Sequence, residues 1–330
     1  MALPLYQLYH DGMDLKQLSY FVHVADSGSF TRAAALLQIA QPALSRQVRQ
    51  LEVELRQTLL TRNGRGVALT DAGKRLLEHS RGILHQVGRA REDLEEMRGA
   101  PVGHVAIGLP PTVGRILTAP LVSAFQQRFP KATLGIVEGL STYITEWLAA
   151  GRIDAGLIYN PAPTSQIDST PLIEEPLYLI GPAAPLSGSR TQKIGSPKLT
   201  TAPPLGTPVA LKELPQYGLV MPARPHAVRM FVESRLAAIG ARINVAWEID
   251  GIPAILDLVA RGHGFAVLSL NALRNDPLRT HLTARAIVKP RLLTALAIAT
   301  AAQRPLTPLA QQVVTLIRDL APRELEIPGA

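Results

Sequence analysis

The pattern of apolar residues divides this chain of 330 residues into two parts that belong to different fold classes. From Met13 to residue 98, most apolar side chains recur at the three-and-four spacing of helices. The segment Gly99-Ala100-Pro101-Val102-Gly103 then breaks the helical pattern, and beyond it short alternating runs are interleaved with helical ones. We therefore predict an all-α first part, a hinge over 99–103 and an α/β second part. The length of the chain also favours two or three domains.

The charge balance indicates a polyanionic partner. Lys and Arg number 34 against 26 Asp and Glu, a formal net charge of +8, so nucleic acid is the first candidate. The absence of cysteine excludes disulfides, Cys-type zinc fingers, iron–sulfur clusters and thiol nucleophiles. The start of the chain does not resemble a secretory signal, and the longest apolar run, 292–302, is shorter than the roughly 18–20 residues of a membrane span. We expect a cytoplasmic protein with no membrane contact.

Three short helices are predicted at the start of the patterned region. Asp14 is placed to cap the first helix, and Gly28 to end it. Ser29 can cap the second helix, and Pro42 lies at the start of the third, where proline is favoured. Residues 1–12 show no comparable pattern. We interpret them as an extension that precedes a natural start at Met13.

The third helix has two chemically distinct faces. Its apolar stripe is formed by Leu44, Val48, Leu51 and Leu55. The opposite face is polar and cationic, and comprises Pro42, Ser45, Arg46, Arg49 and Gln50. A tight turn between two helices, with arginines outward on the second, is typical of a helix-turn-helix that enters the DNA major groove. There arginine can bond guanine O6 and N7, and Gln41 or Gln50 could address adenine. The alternative is that these arginines are only solvent-exposed residues of a surface helix, which is the commoner case for isolated arginines.

A hairpin is predicted directly after this motif. Two short apolar strands within Leu59–Thr70 flank an Asn-Gly turn that carries Arg62 and Arg65 at its tip. Such a wing beside the third helix could contact phosphates or the minor groove, with an affinity that falls as salt rises.

The segments FTRAAALLQIAQPALSRQVRQLE and RNGRGVALTDAGKRLL resemble the winged helix-turn-helix of LysR-type transcriptional regulators, without gaps over residues 14–98. The resemblance implies a DNA-binding domain over 13–70. The positions it implies as DNA-facing are Thr31, Arg32, Gln41, Pro42, Ala43, Ser45, Arg46 and Arg49, with Arg62 and Arg65 on the wing. Two residues depart from the family pattern. Ala40 stands where many relatives have a capping Ser, and Arg56 where many have a helix-ending Gly.

A long helix is predicted over 71–98, capped by Thr70. Its apolar residues follow a heptad pattern, with Ser80 at one of the interleaved positions. The alternative is a helix packed on its own domain. The residues predicted for dimerisation are Leu76, Ile83, Val87, Ala90, Leu94 and Met97. In the resembled family this helix pairs subunits, which implies a dimer or a dimer of dimers that reads an interrupted palindrome.

The second part alternates strands with helices, and we predict a mostly parallel sheet. The predicted strands are 104–109, 133–138, 155–159, 219–221, 243–248, 265–268 and 293–300. The predicted helices are 116–129, 141–150, 227–239, 253–261 and 306–320. This order resembles the two-lobed, periplasmic-binding-protein-like effector domain of the same family. Lobe I is expected at about 104–181 and 291–330, and lobe II at about 182–290.

Ligands of such folds lie between the lobes, where strand ends face helix starts. In lobe I the hydroxyl of Thr112 and the amide of Val113 could hold a small anion, although Thr112 could equally be only a helix cap. In lobe II, Arg224 and His226 are the candidates. Three segments, GLPPTVGR, IVEGLSTYITEWLAAGRIDAGLIYNP and MPARPHAVR, are similar to the nitrogen-assimilation-control branch of the family. Members of that branch work without a coinducer, so the cleft could be vestigial.

Three functions are compatible with parts of this pattern. A transcriptional regulator accounts for both parts of the chain. Its candidate partners are double-stranded DNA, a second copy of the chain and RNA polymerase. Its candidate ligand is a small anionic effector. A solute-binding protein would explain the lobes but not the winged head. An enzyme is not supported, because no nucleophile elbow, P-loop, dinucleotide fingerprint or metalloprotease motif is present. We expect no cofactor and no metal.

Overall fold

The computed structural model describes residues 13–63, 66–96, 103–183, 204–274 and 276–326. Residues 1–12 and most of the hinge segment 99–103 lie outside these ranges. The described residues form two compact units. The first contains residues 13–96 together with 149–153, and the second contains 103–148 and 154–326. No helix among the described residues is long and apolar enough to cross a membrane.

The first unit contains the predicted helices and hairpin. The helices are α1 (Leu15–Ser27), α2 (Phe30–Leu36), α3 (Gln41–Glu54) and α4 (Asp71–Glu96), and the strands are β1 (Leu60–Asn63) and β2 (Gly66–Leu69). The predicted caps are confirmed. The backbone N–H of Gln17 donates to the carboxylate of Asp14 at 2.6 Å, and Gly28 ends α1 in the left-handed region with φ of 58°. The N–H of Arg32 donates to the hydroxyl of Ser29 at 3.4 Å.

The core of this unit confirms the predicted apolar stripe. Leu44, Val48 and Leu51 of α3 are fully buried, and Leu55 is partly buried against them. They pack on Leu18, Phe21 and Val24 of α1 and on Ala33 and Ala34 of α2. Burying one stripe of α3 leaves the opposite face of the helix at the surface. Ala40 makes no side-chain capping bond, as its missing hydroxyl requires.

Arg56, just after α3, has φ of 52°, a left-handed conformation that costs a non-glycine residue roughly 1–2 kcal/mol. We expect Arg56→Gly to raise the free energy of unfolding by about 0.5–1 kcal/mol, because the extra freedom of glycine in the unfolded chain offsets part of the gain. Urea unfolding measures this difference. Arg56→Ala is the matched control, since it removes the side chain and keeps the strain. An equal gain from alanine would show that the side chain, not the backbone, is responsible.

The predicted hairpin forms, but Asn63 is a strand residue. Leu60 pairs with Leu69 and Asn63 with Gly66, so Asn63 ends β1 and does not belong to the turn as predicted. Gly64 and Arg65, on which the rest of that prediction falls, lie outside the described ranges. Val67 and Leu60 pack against the helical core, which holds the hairpin on the helix-turn-helix.

The second unit is an α/β structure of two lobes. Its helices are α5 (Pro111–Arg128), α6 (Ser141–Ala150), α7 (Ala227–Ala237), α8 (Ile252–Ala260) and α9 (Pro308–Leu325). Its strands are β3 (His104–Leu109), β4 (Thr133–Glu138), β5 (Ala155–Tyr159), β6 (Ile167–Pro182), β7 (Leu205–Ala210), β8 (Leu219–Met221), β9 (Val245–Glu248), β10 (Ala266–Ser269), β11 (Leu282–Val288) and β12 (Leu293–Ala301). Short 3-10 turns cover Leu211–Gln216, Leu270–Leu273 and Pro277–His281.

The sheet is mixed, and the prediction of a mostly parallel sheet is wrong. The main strand order is β4-β3-β5-β12-β6-β11-β7, with β10 also paired to β6. The pairs β3–β4, β3–β5 and β7–β11 are parallel, but every described partner of β6 runs antiparallel to it. Strands β6, β7 and β11 were not predicted from the sequence. In β6 the prolines at 171 and 176 and two adjacent glutamates interrupt the alternation that marks a strand.

Strand β6 connects the two lobes. Its first half pairs with β12 beside the core of lobe I, which contains Leu117, Leu157 and Ile317. From Leu177 onward it contributes to the cores of lobe II. The crossing therefore lies near Pro176, a few residues before the boundary expected from the sequence. Leu292 belongs to a lobe II core, and the return crossing precedes β12.

Candidate nucleic-acid interface and ligand cleft

The exposed face of α3 carries two arginines. Neither Arg46 nor Arg49 makes an ion pair or side-chain hydrogen bond within the part of the chain that the structure describes. They are three residues apart, so their side chains emerge from the same face of the helix. Pro42 is also exposed, and Gln41, Ala43 and Ser45 are partly buried. The two guanidinium groups are therefore placed to bond an outside partner.

The two glutamines of this face differ. The amide of Gln50 donates to Glu54 Oε1 at 2.8 Å, and Glu54 also accepts from Gln17 at 3.4 Å. The amide of Gln50 is thus already bonded within α3, although the side chain is exposed. Gln41 makes no such bond to any described residue, so it is the better candidate for a base contact.

Helix α2 contributes two further exposed side chains. Thr31 is exposed, and so is Arg32, which donates through Nη2 to the carbonyl of Ser27 at 2.5 Å. The carbonyl of Gly28 accepts from the N–H of Val67 at 3.0 Å. A Cβ at Gly66 would lie 2.6 Å from that carbonyl oxygen, so only glycine allows the hairpin to approach the α1–α2 turn this closely. Arg65 and the side chain of Arg62 lie outside the described residues.

The residues predicted for dimerisation do not form one uniform stripe. Leu76 packs beside the helical core of its own unit, and Ser80 is fully buried with its hydroxyl donating to the carbonyl of Leu76 at 2.7 Å. Ile83 is 36% exposed, Val87 is partly buried and Ala90 is exposed. The side chain of Leu94 and the whole of Met97 lie outside the described residues. The seam remains a prediction for Ile83, Val87 and Ala90.

A cleft of about 220 Å³ lies between the lobes, where the starts of α5, α6, α7 and α8 meet. Thr112 and His226, two of the four predicted ligand residues, line it. The side chain of Val113 is fully buried in the core of lobe I and does not line the cleft, so the role predicted for its backbone amide stays a prediction. Arg224 does not line the cleft either, because its exposed guanidinium bonds Glu233 through Nε at 3.1 Å and Nη2 at 2.8 Å.

The described lining of the cleft carries more acidic than basic groups. Glu175 and Asp250 belong to it, against the guanidinium of Arg115. Burial raises the pKa of Glu175, although hydrogen bonds from Asn271, Tyr159 and Ser269 oppose that shift. Burial also raises the pKa of Tyr159 far above its usual value, and nearby Glu175 adds to the effect.

The remaining groups do not favour a strong anion site. Burial lowers the pKa of His226, against the opposing charge of Asp250, so its imidazole is neutral at physiological pH. Pro110 and Pro111 at the start of α5 have no backbone N–H to offer. The cleft therefore suits a neutral ligand better than the small anion expected from the sequence. Within the described chain, no group of three or more His, Asp or Glu side chains could hold a metal ion.

Several lining residues were not predicted from the sequence. Tyr159 ends β5 and Asp250 follows β9, so the rule that ligands lie at strand ends could have identified both. Arg115 lies one turn after Thr112 on α5. Glu175 could not be found in this way, because β6 itself was not predicted.

We expect Glu175→Gln to flatten the pH dependence of stability. Because burial raises the pKa of Glu175 above 4.5, the folded protein binds this proton more tightly than the unfolded chain. The free energy of unfolding therefore contains a contribution from this proton that is fully present at low pH. That contribution is lost as pH rises from the pKa of Glu175 in the unfolded chain to its pKa in the folded protein. The loss is about 1.4 kcal/mol for each tenfold difference in proton affinity between the two states. Urea unfolding from pH 4 upward measures it. The exposed neighbour Glu174→Gln is the control and should follow the wild type. Parallel curves for Glu175→Gln and the wild type would contradict the prediction.

Comparisons with known proteins cover both units. Residues 15–74 match the family described as bacterial regulatory helix-turn-helix protein, lysR family, and residues 98–322 match the LysR substrate binding domain. The nitrogen assimilation regulatory protein nac of Escherichia coli (strain K12) is 33% identical over 306 residues, 92% of this chain and 94% of that protein. Its counterpart in Klebsiella aerogenes is 33% identical over 312 residues, 94% and 96% of the two chains. The crystal structure of full-length CbnR with its target DNA shares the fold, with a TM-score of 0.64 and 24% identity over 93% of this chain and 99% of that one.

Proposed function

The chain belongs to the LysR family of bacterial transcriptional regulators, and from this premise we propose that it binds an interrupted palindromic operator as a dimer or a dimer of dimers. Its function is regulation of transcription rather than catalysis. The observation that carries the operator proposal is the exposed face of α3, where Arg46 and Arg49 have no partner among the described residues. Two exposed guanidinium groups opposite a buried stripe are what a recognition helix needs.

In the proposed complex α3 lies in the major groove. Arg46 and Arg49 bond guanine edges or phosphates, and Gln41 addresses adenine. Thr31 and Arg32 at the start of α2 contact the backbone beside the groove. Arg62 and Arg65 of the hairpin add sequence-independent affinity through phosphates.

Two copies of the helix-turn-helix domain must be joined if the protein is to bind both halves of a palindrome. We assign the joining to α4, whose 26 residues span about 39 Å at 1.5 Å per residue. Ile83, Val87 and Ala90 lie along its length with partly or fully exposed side chains, which supports a contact with a second copy. A regulator that acts on DNA would work in the cytoplasm, with RNA polymerase as a further candidate partner.

The cleft is the proposed site of regulation by a small ligand. Thr112, Ser141 and Ser269 offer hydroxyls there, and His226 offers a neutral imidazole. Ligand binding would shift the relative populations of different arrangements of the two lobes. This shift would change where the two helix-turn-helix domains of a dimer are placed. The alternative is a regulator that needs no coinducer. The similarity to nitrogen assimilation regulators and the carboxyl groups of Glu175 and Asp250 in the cleft favour that alternative over a small anionic effector.

Selection of the full-length protein against a randomised duplex pool at two salt concentrations tests the proposal. We expect an interrupted palindrome to be enriched and to persist at the higher salt, because base contacts add to the electrostatic attraction. The double variant Arg46→Ala with Arg49→Ala should enrich no sequence. Retention that disappears as salt rises, with no enriched sequence, would refute sequence-specific binding. Enrichment without any added small molecule would show that operator binding itself needs no coinducer.

A further inference from the structure

A second cavity, of about 540 Å³, lies where β6 crosses between the lobes. We name it the hinge cavity. Its lining includes the polar residues Glu174, Glu175, Asn271, Arg291 and Glu326. Glu175 also lines the cleft, but Asn271 and Glu326 line only the hinge cavity. Its volume is within the range of small-molecule sites, and a single water occupies only about 30 Å³.

The side chain of Asn271 has an unused acceptor. It is 4% exposed, and its Nδ2 donates to Glu175 Oε1 at 2.5 Å and to the carbonyl of Leu325 at 2.9 Å. Those two acceptors fix the orientation of the amide and use both of its hydrogens. Asn271 Oδ1 is buried and accepts no hydrogen bond from the described residues. A buried acceptor without a donor costs free energy, which a suitable ligand would recover.

The charges around this amide favour a positive partner. Among the described lining residues, the glutamates 174, 175 and 326 outnumber the single arginine, Arg291. Glu175 already accepts from Tyr159 at 3.1 Å and from Asn271, but these donors are neutral and do not compensate a buried negative charge. Glu174 and Glu326 are exposed and add negative potential on the solvent side. A ligand that complements this cavity therefore brings both a hydrogen-bond donor and a positive charge.

We propose that the hinge cavity binds a small organic cation with a primary ammonium group. Asn271 Oδ1 and the carboxylate of Glu175 accept from the ammonium, and Glu174 and Glu326 supply the outer negative charge. Leu293 and Pro322, which also line the cavity, provide apolar surface for the rest of the ligand. This site shares Glu175 and Ser269 with the cleft, whereas Asn271 and Glu326 line the hinge cavity and not the cleft.

Ligand-observed saturation-transfer NMR on the full-length protein tests the charge preference with three probes that share one ring. Benzylammonium is the cation, benzyl alcohol the neutral match and benzoate the anion. We expect saturable binding of benzylammonium, about tenfold weaker binding of benzyl alcohol, as loss of one charge-assisted hydrogen bond implies, and none of benzoate. Equal binding of all three probes, or no saturable binding of benzylammonium, would overturn the proposal.

Variants assign the site. Asn271→Leu should weaken benzylammonium binding by about tenfold, because it removes the buried acceptor. Since this change also removes two internal bonds, Glu326→Gln at the exposed side serves as a second variant that keeps the fold, and we expect a smaller loss from it. Asp250→Asn, which alters only the cleft, should leave binding unchanged. Loss of binding in Asp250→Asn, with binding retained in Glu326→Gln and in folded Asn271→Leu, would place the cation in the cleft and refute the proposal.

Discussion

Replacement of Arg46 by alanine is expected to relax operator discrimination by about 1–3 kcal/mol, the value of one bidentate contact between arginine and guanine. Arg46 is exposed on α3 and has no partner among the described residues, so its removal leaves the core and the described hydrogen bonds of the protein intact. The measurement is the affinity of wild type and variant for the selected operator and for each of its single-base variants.

Two outcomes separate the possible roles of Arg46. A base contact predicts a loss confined to one position of the operator. A phosphate contact predicts an equal loss for all sequences, with the salt slope reduced by about one. Arg242→Ala is the control, because Arg242 is an exposed arginine of the second unit and lies outside the helix-turn-helix. A variant that binds every sequence as the wild type does would remove Arg46 from the proposed interface.

Gly73→Ala is expected to destabilise the first unit by roughly 1–3 kcal/mol, although alanine favours helices over glycine. A Cβ at this position of α4 would lie 2.1 Å from the carbonyl oxygen of Leu59. That oxygen cannot retreat freely, because it accepts from the N–H of Thr70 at 3.0 Å and from the Thr70 hydroxyl at 3.2 Å. The clash would separate α4 from the base of the hairpin, so DNA affinity should fall together with stability.

Gly88→Ala in the same helix is the matched control for Gly73→Ala. No heavy atom of the described residues lies within 4 Å of a Cβ built at Gly88, so alanine there should gain the full helix preference of about 1 kcal/mol. Thermal unfolding of both variants compares the two sites. A gain in stability from Gly73→Ala would show that α4 can move away from Leu59 at little cost.

The helix-turn-helix was predictable because its signals are local. Asp14, Gly28, Ser29 and Pro42 each act on the backbone within a few residues, and the stripe on α3 follows from a spacing of three and four. The exposure of the two arginines follows from the same helical spacing, since burial of one stripe leaves the opposite face of the helix to solvent.

The ligand sites were less predictable. Thr112 and His226 were identified because strand ends and helix starts mark clefts in this class of fold. Arg224 was placed there wrongly, because sequence position alone does not say that its guanidinium is held by Glu233. The side chain of Val113 points into a core, so only its backbone amide remains a candidate. Apolar periodicity also did not predict β6, because its prolines and glutamates interrupt the alternating pattern. This strand forms because it pairs with β12.

The amino-acid sequence by itself determined the two-part organisation, the caps and stripes of the first three helices, and the cationic face of α3. Only the tertiary structure decided which polar groups surround the two cavities. Glu175 meets Asn271 across 96 residues of chain, and Asn160 meets Thr294 across 134. Such neighbours result from strand pairing and from burial in a shared core, which act between segments far apart in the chain and leave no local signal in either.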